Sequence, residues 1–252
     1  MDSAEPQETF LSHLIELRQR LVWSLLAYAL ACVPTLWFSA ELYDLLAAPL
    51  MSSLPEGSRM IATGVISPFI IPIKIGFFAA LVLALPFLLY QGWAFVAPGL
   101  YAHEKRLALP LVVSSTLLFL AGMLFCYYFV FGQVFTFIAS FAPQSITVAP
   151  AIEAYFNFVL GMFLAFGVAF ETPVVVVVLA VTGLVKVEQL REWRGYVIVG
   201  IFIIAAVITP PDVVSQLALA IPMCLLYEVG IFFAQLVTRR KGAHEVPEAN
   251  PD

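Results

Sequence analysis

Six apolar stretches alternate with short polar segments along this chain. Leu21 to Phe38 is apolar apart from Ser24 and Thr35, and Ile75 to Val96 carries no charge at all. Leu107 to Phe131 forms a third stretch, Tyr155 to Val181 a fourth, Tyr196 to Ile208 a fifth and Val213 to Val237 a sixth. A helix rises about 1.5 Å per residue, so roughly 20 apolar residues cross the ~30 Å hydrocarbon core of a bilayer. The pattern therefore predicts an all-α integral membrane protein with six transmembrane helices. Pro34 predicts a kink or a stop near the end of the first, and Pro86 a bend over residues 82–86 in the second. The last two stretches read as short. Few apolar residues lie between Arg194 and Asp212, and Gln216 and Glu228 bracket an uncharged core of only Leu217 to Tyr227. A short hairpin of this kind predicts a locally distorted bilayer.

The connections are equally patterned. Phe10 to Leu21 puts Phe10, Leu14, Leu17 and Leu21 on one helical face and His13, Glu16 and Arg20 on another. Residues 39–67 are mixed and predict an external loop containing a short amphipathic helix around Glu41 to Leu50. Ser67-Pro68-Phe69 opens the next helix, with proline in its first turn. Lys74 lies near enough to that end to snorkel back to the interface. A second external segment, residues 132–153, has no Lys or Arg, and Thr209-Pro210-Pro211-Asp212 reads as a tight turn.

Composition reinforces the lipid reading. Hydrophobic residues make up 62% of the 252 and charged residues 12%, against about 25% charged in a soluble domain. The cations set an orientation. Arg18, Arg20, Lys105, Arg106, Lys186, Arg191, Arg194, Arg239, Arg240 and Lys241 fall on one side, and only Arg59 and Lys74 on the other. The positive-inside rule then puts both termini in the cytoplasm. The resulting organisation is a cytoplasmic amphipathic segment over 1–20, a six-helix transmembrane domain over 21–237 with external loops at about 39–67 and 132–153, and a cytoplasmic tail over 238–252. The acidic start, Met1 to Glu8, does not resemble a cleavable leader, so the first helix is expected to stay. Cys32, Cys126 and Cys224 each lie in an apolar run and fit neither a disulfide framework nor a metal site.

Four groups of polar residues offer candidate chemistry. Glu16 stands four residues before Arg20, the favourable order for a helical ion pair, and its plain reading is a solvated surface pair. Glu104 falls on the same predicted side, beside Lys105 and Arg106. Two carboxylates on one surface can each take a guanidinium fork. Glu171 lies inside the fourth stretch, where a carboxylate is either protonated and hydrogen-bonded to a neighbouring helix or part of a functional polar path. Thr209, Asp212 and Gln216 cluster at the outer end of the short hairpin, as helix caps or as a polar patch for a partner helix. No intramembrane Ser–His pair, HExxH motif or phosphate loop is present, which argues against a membrane protease or an ATP-driven pump. No catalytic residue, metal site or cofactor is expected, and no nucleic acid partner.

The segments His13 to Leu21, Met60 to Thr63, Ser67 to Phe69, Tyr90 to Leu100, His103-Glu104, Ala165 to Pro173 and Thr209 to Asp212, in this order across six stretches, closely resemble the TatC family. That family is the multi-span subunit of the twin-arginine protein translocase of the bacterial cytoplasmic (inner) membrane. The resemblance implies a receptor for signal peptides bearing two consecutive arginines. Such a receptor exports folded precursor proteins on the proton-motive force, and it is not an enzyme. It implies single-span TatA and TatB partners and contact with other copies of the chain. It maps signal-peptide binding onto Glu16, Arg18, Phe95 and Glu104, the buried acid onto Glu171, partner-helix contact onto Thr209 and Gln216, and the external cap onto Pro49. Ile70 stands where many relatives carry an acid, and Gly92 and Gly99 where bulkier residues are common. The alternative is a proton-coupled small-solute transporter using Glu171, although no internal repeat supports it.

Overall fold

The computed structural model describes residues 5–52, 59–100, 108–141, 149–209 and 213–244. Among them the chain is helical nearly throughout: α1 Glu5–Trp37, α2 Ser39–Met51, α3 Ser67–Leu100, α4 Ala108–Phe125, α5 Phe131–Phe141, α6 Ile152–Phe170, α7 Thr172–Val181, α8 Val187–Glu192, α9 Arg194–Ile208 and α10 Val213–His244. Among the described residues, five stretches are long and apolar enough to cross a membrane: His13–Trp37, Ser67–Phe95, Leu109–Phe137, Ile152–Val181 and Val213–Thr238. The fifth apolar stretch is carried by α9, which has 15 residues. At 1.5 Å per residue it is about 22 Å long, well short of hydrocarbon thickness.

Sequence pattern and structure part at several places. The last helix is not short: α10 runs for 32 residues, and Glu228 does not end its apolar part. The physical reason is a partner on the neighbouring helix, because Arg194 Nη2 of α9 lies 2.5 Å from Glu228 Oε2. The short amphipathic helix of the first loop is present as α2. α1 stops within a turn of Pro34, whereas α3 stays helical through Pro86. The third stretch continues past residue 131 through a π-helical turn at Cys126–Val130 into α5. Val130, Phe131, Val134 and Phe135 are buried there, so an apolar face carries the helix onward. The fourth stretch is broken in two at Glu171.

The chain forms two compact units: residues 1–117 with 139–160, and residues 118–138 with 161–252. In the first, α1 packs along α3 over a seam of small residues, Ala31, Cys32, Ala80 and Ala84. Gly76 makes that approach possible, since a Cβ there would stand 2.8 Å from Leu36 Cδ2 and 3.2 Å from the Thr35 carbonyl. Small residues at such seams let helices gain packing where lipid offers no hydrophobic drive. The α2 end of this unit is laced by polar contacts. Tyr155 Oη donates to the Leu46 carbonyl at 2.6 Å, and Ser67 donates to Glu153. Lys74 Nζ donates to Asn157 Oδ1 at 2.5 Å, and Ile61 pairs with Ala151 in a single parallel bridge. Tyr43 and Phe156 add a ring contact at 4.6 Å.

In the second unit, α10 packs on α7 around Val176, Ala180, Tyr227, Ile231 and Ala234, and Tyr227 Oη donates to the Leu190 carbonyl of α8 at 2.7 Å. Gly122 and Gly167 allow a second close crossing. Their missing Cβ atoms would stand 2.4 Å from the Phe166 carbonyl and 2.5 Å from the Phe119 ring. Gly183, at φ 73°, closes the end of α7 in the left-handed region open to glycine.

Candidate functional site

The polar face of α1 meets α3 at residues spaced one turn apart on each helix. Glu16 and Arg20 are four residues apart on α1, and Gln91 and Phe95 are four apart on α3. Residues at this spacing stack on one helical face. Arg20 Nε and Nη2 both reach Glu16 Oε1, at 3.0 and 2.5 Å, and Arg20 Nη1 donates to Gln91 Oε1 at 3.3 Å. One turn further toward the N-terminus, the His13 ring stacks on Phe95 with centroids 4.3 Å apart and planes at 20°. Both Glu16 and Arg20 are half-buried. Behind Phe95, Trp93 Nε1 donates to the buried Ser115 hydroxyl of α4 at 3.3 Å, which fixes this part of α3.

The structure thus brings Glu16 and Phe95 to one place and adds His13, Arg20 and Gln91. Arg18 does not join them. It is two residues from Glu16, on the opposite side of the helix, and is exposed. Glu104 lies outside the described residues, as do Pro210, Pro211 and Asp212.

The remaining candidates sit apart from this cluster. Glu171 occupies the break between α6 and α7 and is the residue before the first turn of α7, with Pro173 inside that turn. Its Oε1 atom is shielded from the surface. A helix N-terminus favours a negative charge, so the break is a place where a carboxylate is tolerated. Thr209 caps the end of α9: it is buried, and its hydroxyl donates to the Ala205 carbonyl at 2.8 Å. Gln216 Nε2 donates to the Phe202 carbonyl at 3.3 Å and ties α10 to α9. Pro49 lies in α2, where its carbonyl accepts from Ser52 Oγ at 2.9 Å. Among the described residues, no three His, Cys, Asp or Glu side chains are grouped to hold a metal ion.

Residues 12–222 match the family model described as Sec-independent protein translocase protein (TatC). The chain belongs to the TatC family. It is 48% identical over 233 residues to the Sec-independent protein translocase protein TatC of Escherichia coli (strain K12), covering 92% of this chain and 90% of that protein. The TatC of Aquifex aeolicus (strain VF5) is 39% identical over 231 residues, covering 91% of this chain and 95% of that protein. A crystal structure of the twin arginine translocase receptor TatC superposes with a TM-score of 0.78 at 40% identity, covering 90% of this chain and 99% of that one.

Membership of TatC, a family of protein translocase components, makes this a multi-pass membrane protein that transports protein rather than an enzyme. It also sets aside the small-solute transporter. Within this TatC-family chain, sequence reasoning on the candidate site missed Gln91. Its sequence signals are its place one turn before Phe95 on a predicted helix and its position within the Tyr90 to Leu100 segment. His13 and Arg20 shared a face with Glu16 in the pattern, but the ring partner of His13 is 82 positions away and periodicity does not reveal it.

Proposed function

We propose that this chain is the signal-peptide receptor and core subunit of a twin-arginine protein translocase, exporting folded proteins across the bacterial inner membrane. The observation that carries the receptor reading is the half-buried Glu16 carboxylate, which already accommodates a guanidinium beside the His13–Phe95 ring pair. A carboxylate flanked by an aromatic ring suits an arginine side chain, which takes charge-assisted hydrogen bonds on its edge and stacking on its face. Glu16 and Phe95 receive one arginine of the signal, and Glu104 receives the other. Arg18, exposed on the far side of α1, contacts the signal peptide away from Glu16.

The fold reading that goes with this has six spans and both termini in the cytoplasm, α9 being the short fifth span. Ten of the twelve cations then lie inside. Residues 1–20 form the cytoplasmic segment, 238–252 the cytoplasmic tail, and the loops near 39–67 and 132–153 the outer surface, with Pro49 in an external cap. Energy comes from the proton-motive force. Single-span TatA and TatB helices dock on the α9–α10 hairpin near Thr209 and Gln216. A photo-reactive residue at position 216 should form adducts with those helices, and the absence of any would remove that contact. Glu171, at the break in the fourth span, lies on the polar path used during transport.

The direct test is export of a folded reporter carrying an Arg-Arg signal, in cells where this chain replaces the resident subunit. Glu16→Ala and Glu104→Ala should each block export while the protein stays in the membrane. Unimpaired export by both would remove the assigned site.

A further inference from the structure

Arg20 uses all three of its nitrogens inside the candidate site: Nε and Nη2 on Glu16 Oε1, and Nη1 on Gln91 Oε1. A Glu–Arg pair at i, i+4 forms readily on any helix. What sets this one apart is the third contact, from a helix 71 residues away in sequence, and the ring pair of His13 and Phe95 one turn along the same two faces. Arg20 is held between α1 and α3 and does not lie loose along α1. An arginine of a ligand needs the same carboxylate, and it meets a guanidinium already seated there.

We propose that Arg20, held by Gln91, is a resident competitor for Glu16, so that an incoming arginine binds by exchange and Arg20 sets how tightly a cation must bind to enter the site. This rests on the receptor reading of Glu16. A guanidinium displaces a guanidinium at little net loss, because both offer planar, paired donors to the carboxylate. An ammonium is a compact, strongly hydrated point charge and cannot replace paired donors one for one. Arg20 must leave for either cation and lowers both affinities by the same factor, so lysine, the weaker ligand of the carboxylate, is the one left with little occupancy.

The experiment is equilibrium binding of two fluorescent signal peptides, one with Arg-Arg and one with Lys-Lys, to the full-length protein in phospholipid nanodiscs. Glu16→Gln comes first: if it leaves Arg-Arg binding intact, the receptor reading fails and the exchange fails with it. With that loss established, Arg20→Gln should tighten Arg-Arg binding by about 1.5- to 5-fold, the range into which a partly exposed ion pair converts. Lys-Lys binding should tighten by the same factor, so that the ratio between the peptides stays unchanged. Arg20→Lys preserves charge while removing the planar fork, and it should give part of the same gain. Gln91→Leu, which removes the third contact, should move both peptides in the same direction by less. Unchanged or weaker binding by Arg20→Gln would overturn the exchange. So would a gain in Arg20→Gln with none in Arg20→Lys, since that pattern reports net charge alone.

Discussion

Gly230 of α10 lies against the backbone of Pro173 in α7, so closely that a Cβ at Gly230 would stand 2.9 Å from Pro173 Cα. The contact falls two residues beyond Glu171, at the point where the fourth span breaks. Backbone gives way less readily than a flexible side chain, and Val176 Cβ, one turn along the same helix, would stand 3.0 Å away. The break that holds Glu171 is therefore braced by α10.

Gly230→Val should overpack this crossing and cost about 1–3 kcal/mol of stability. Gly161→Ala serves as the contrast, because nothing lies within 4 Å of a Cβ there. In the middle of α6 it should be neutral or stabilise by up to ~1 kcal/mol. Thermal unfolding of the purified protein in one detergent checks both. Equal stability of Gly230→Val and the parent would refute the close crossing.

Tyr155→Phe should loosen α2 while leaving the spans in place. The lost hydroxyl is the donor to Leu46, worth about 0.5–1.5 kcal/mol net. Hydrogen exchange should quicken over residues 39–51 and remain unchanged over α9 and α10. Uniform exchange across both regions would show that the bond does not anchor α2.

The pattern of apolar and polar residues made much of this fold legible, and its failures have a common cause. α2 was readable because Glu41 and Asp44 punctuate an apolar face, and the start of α3 because proline suits a first helical turn. Glu228 misled because a charge reads as a boundary until its partner is known, and Arg194 is 34 positions away. The π-turn at Cys126–Val130 lies in an unbroken apolar run that offers no local signal. At the candidate site the face of His13, Glu16 and Arg20 was visible from spacing alone. The choice of Gln91 and Phe95 as its partners is a property of how α1 packs on α3.

Orientation has its own test. In a variant with Cys32, Cys126 and Cys224 replaced by alanine, Ala48→Cys should react with a membrane-impermeant maleimide added to intact spheroplasts. Glu192→Cys should react only after lysis. Both positions are exposed, so the outcome reports sidedness. The reverse labelling would invert the proposed topology.

The receptor claim is tested most directly by placing a photo-reactive phenylalanine analogue at Phe95, beside His13 and one turn from Gln91. Irradiation with a folded precursor bearing an Arg-Arg signal should give an adduct to the signal. That adduct should be lost when the signal carries Lys-Lys and when Glu16→Gln is introduced. No adduct, or one of equal yield with the Lys-Lys signal and with Glu16→Gln, would contradict the account.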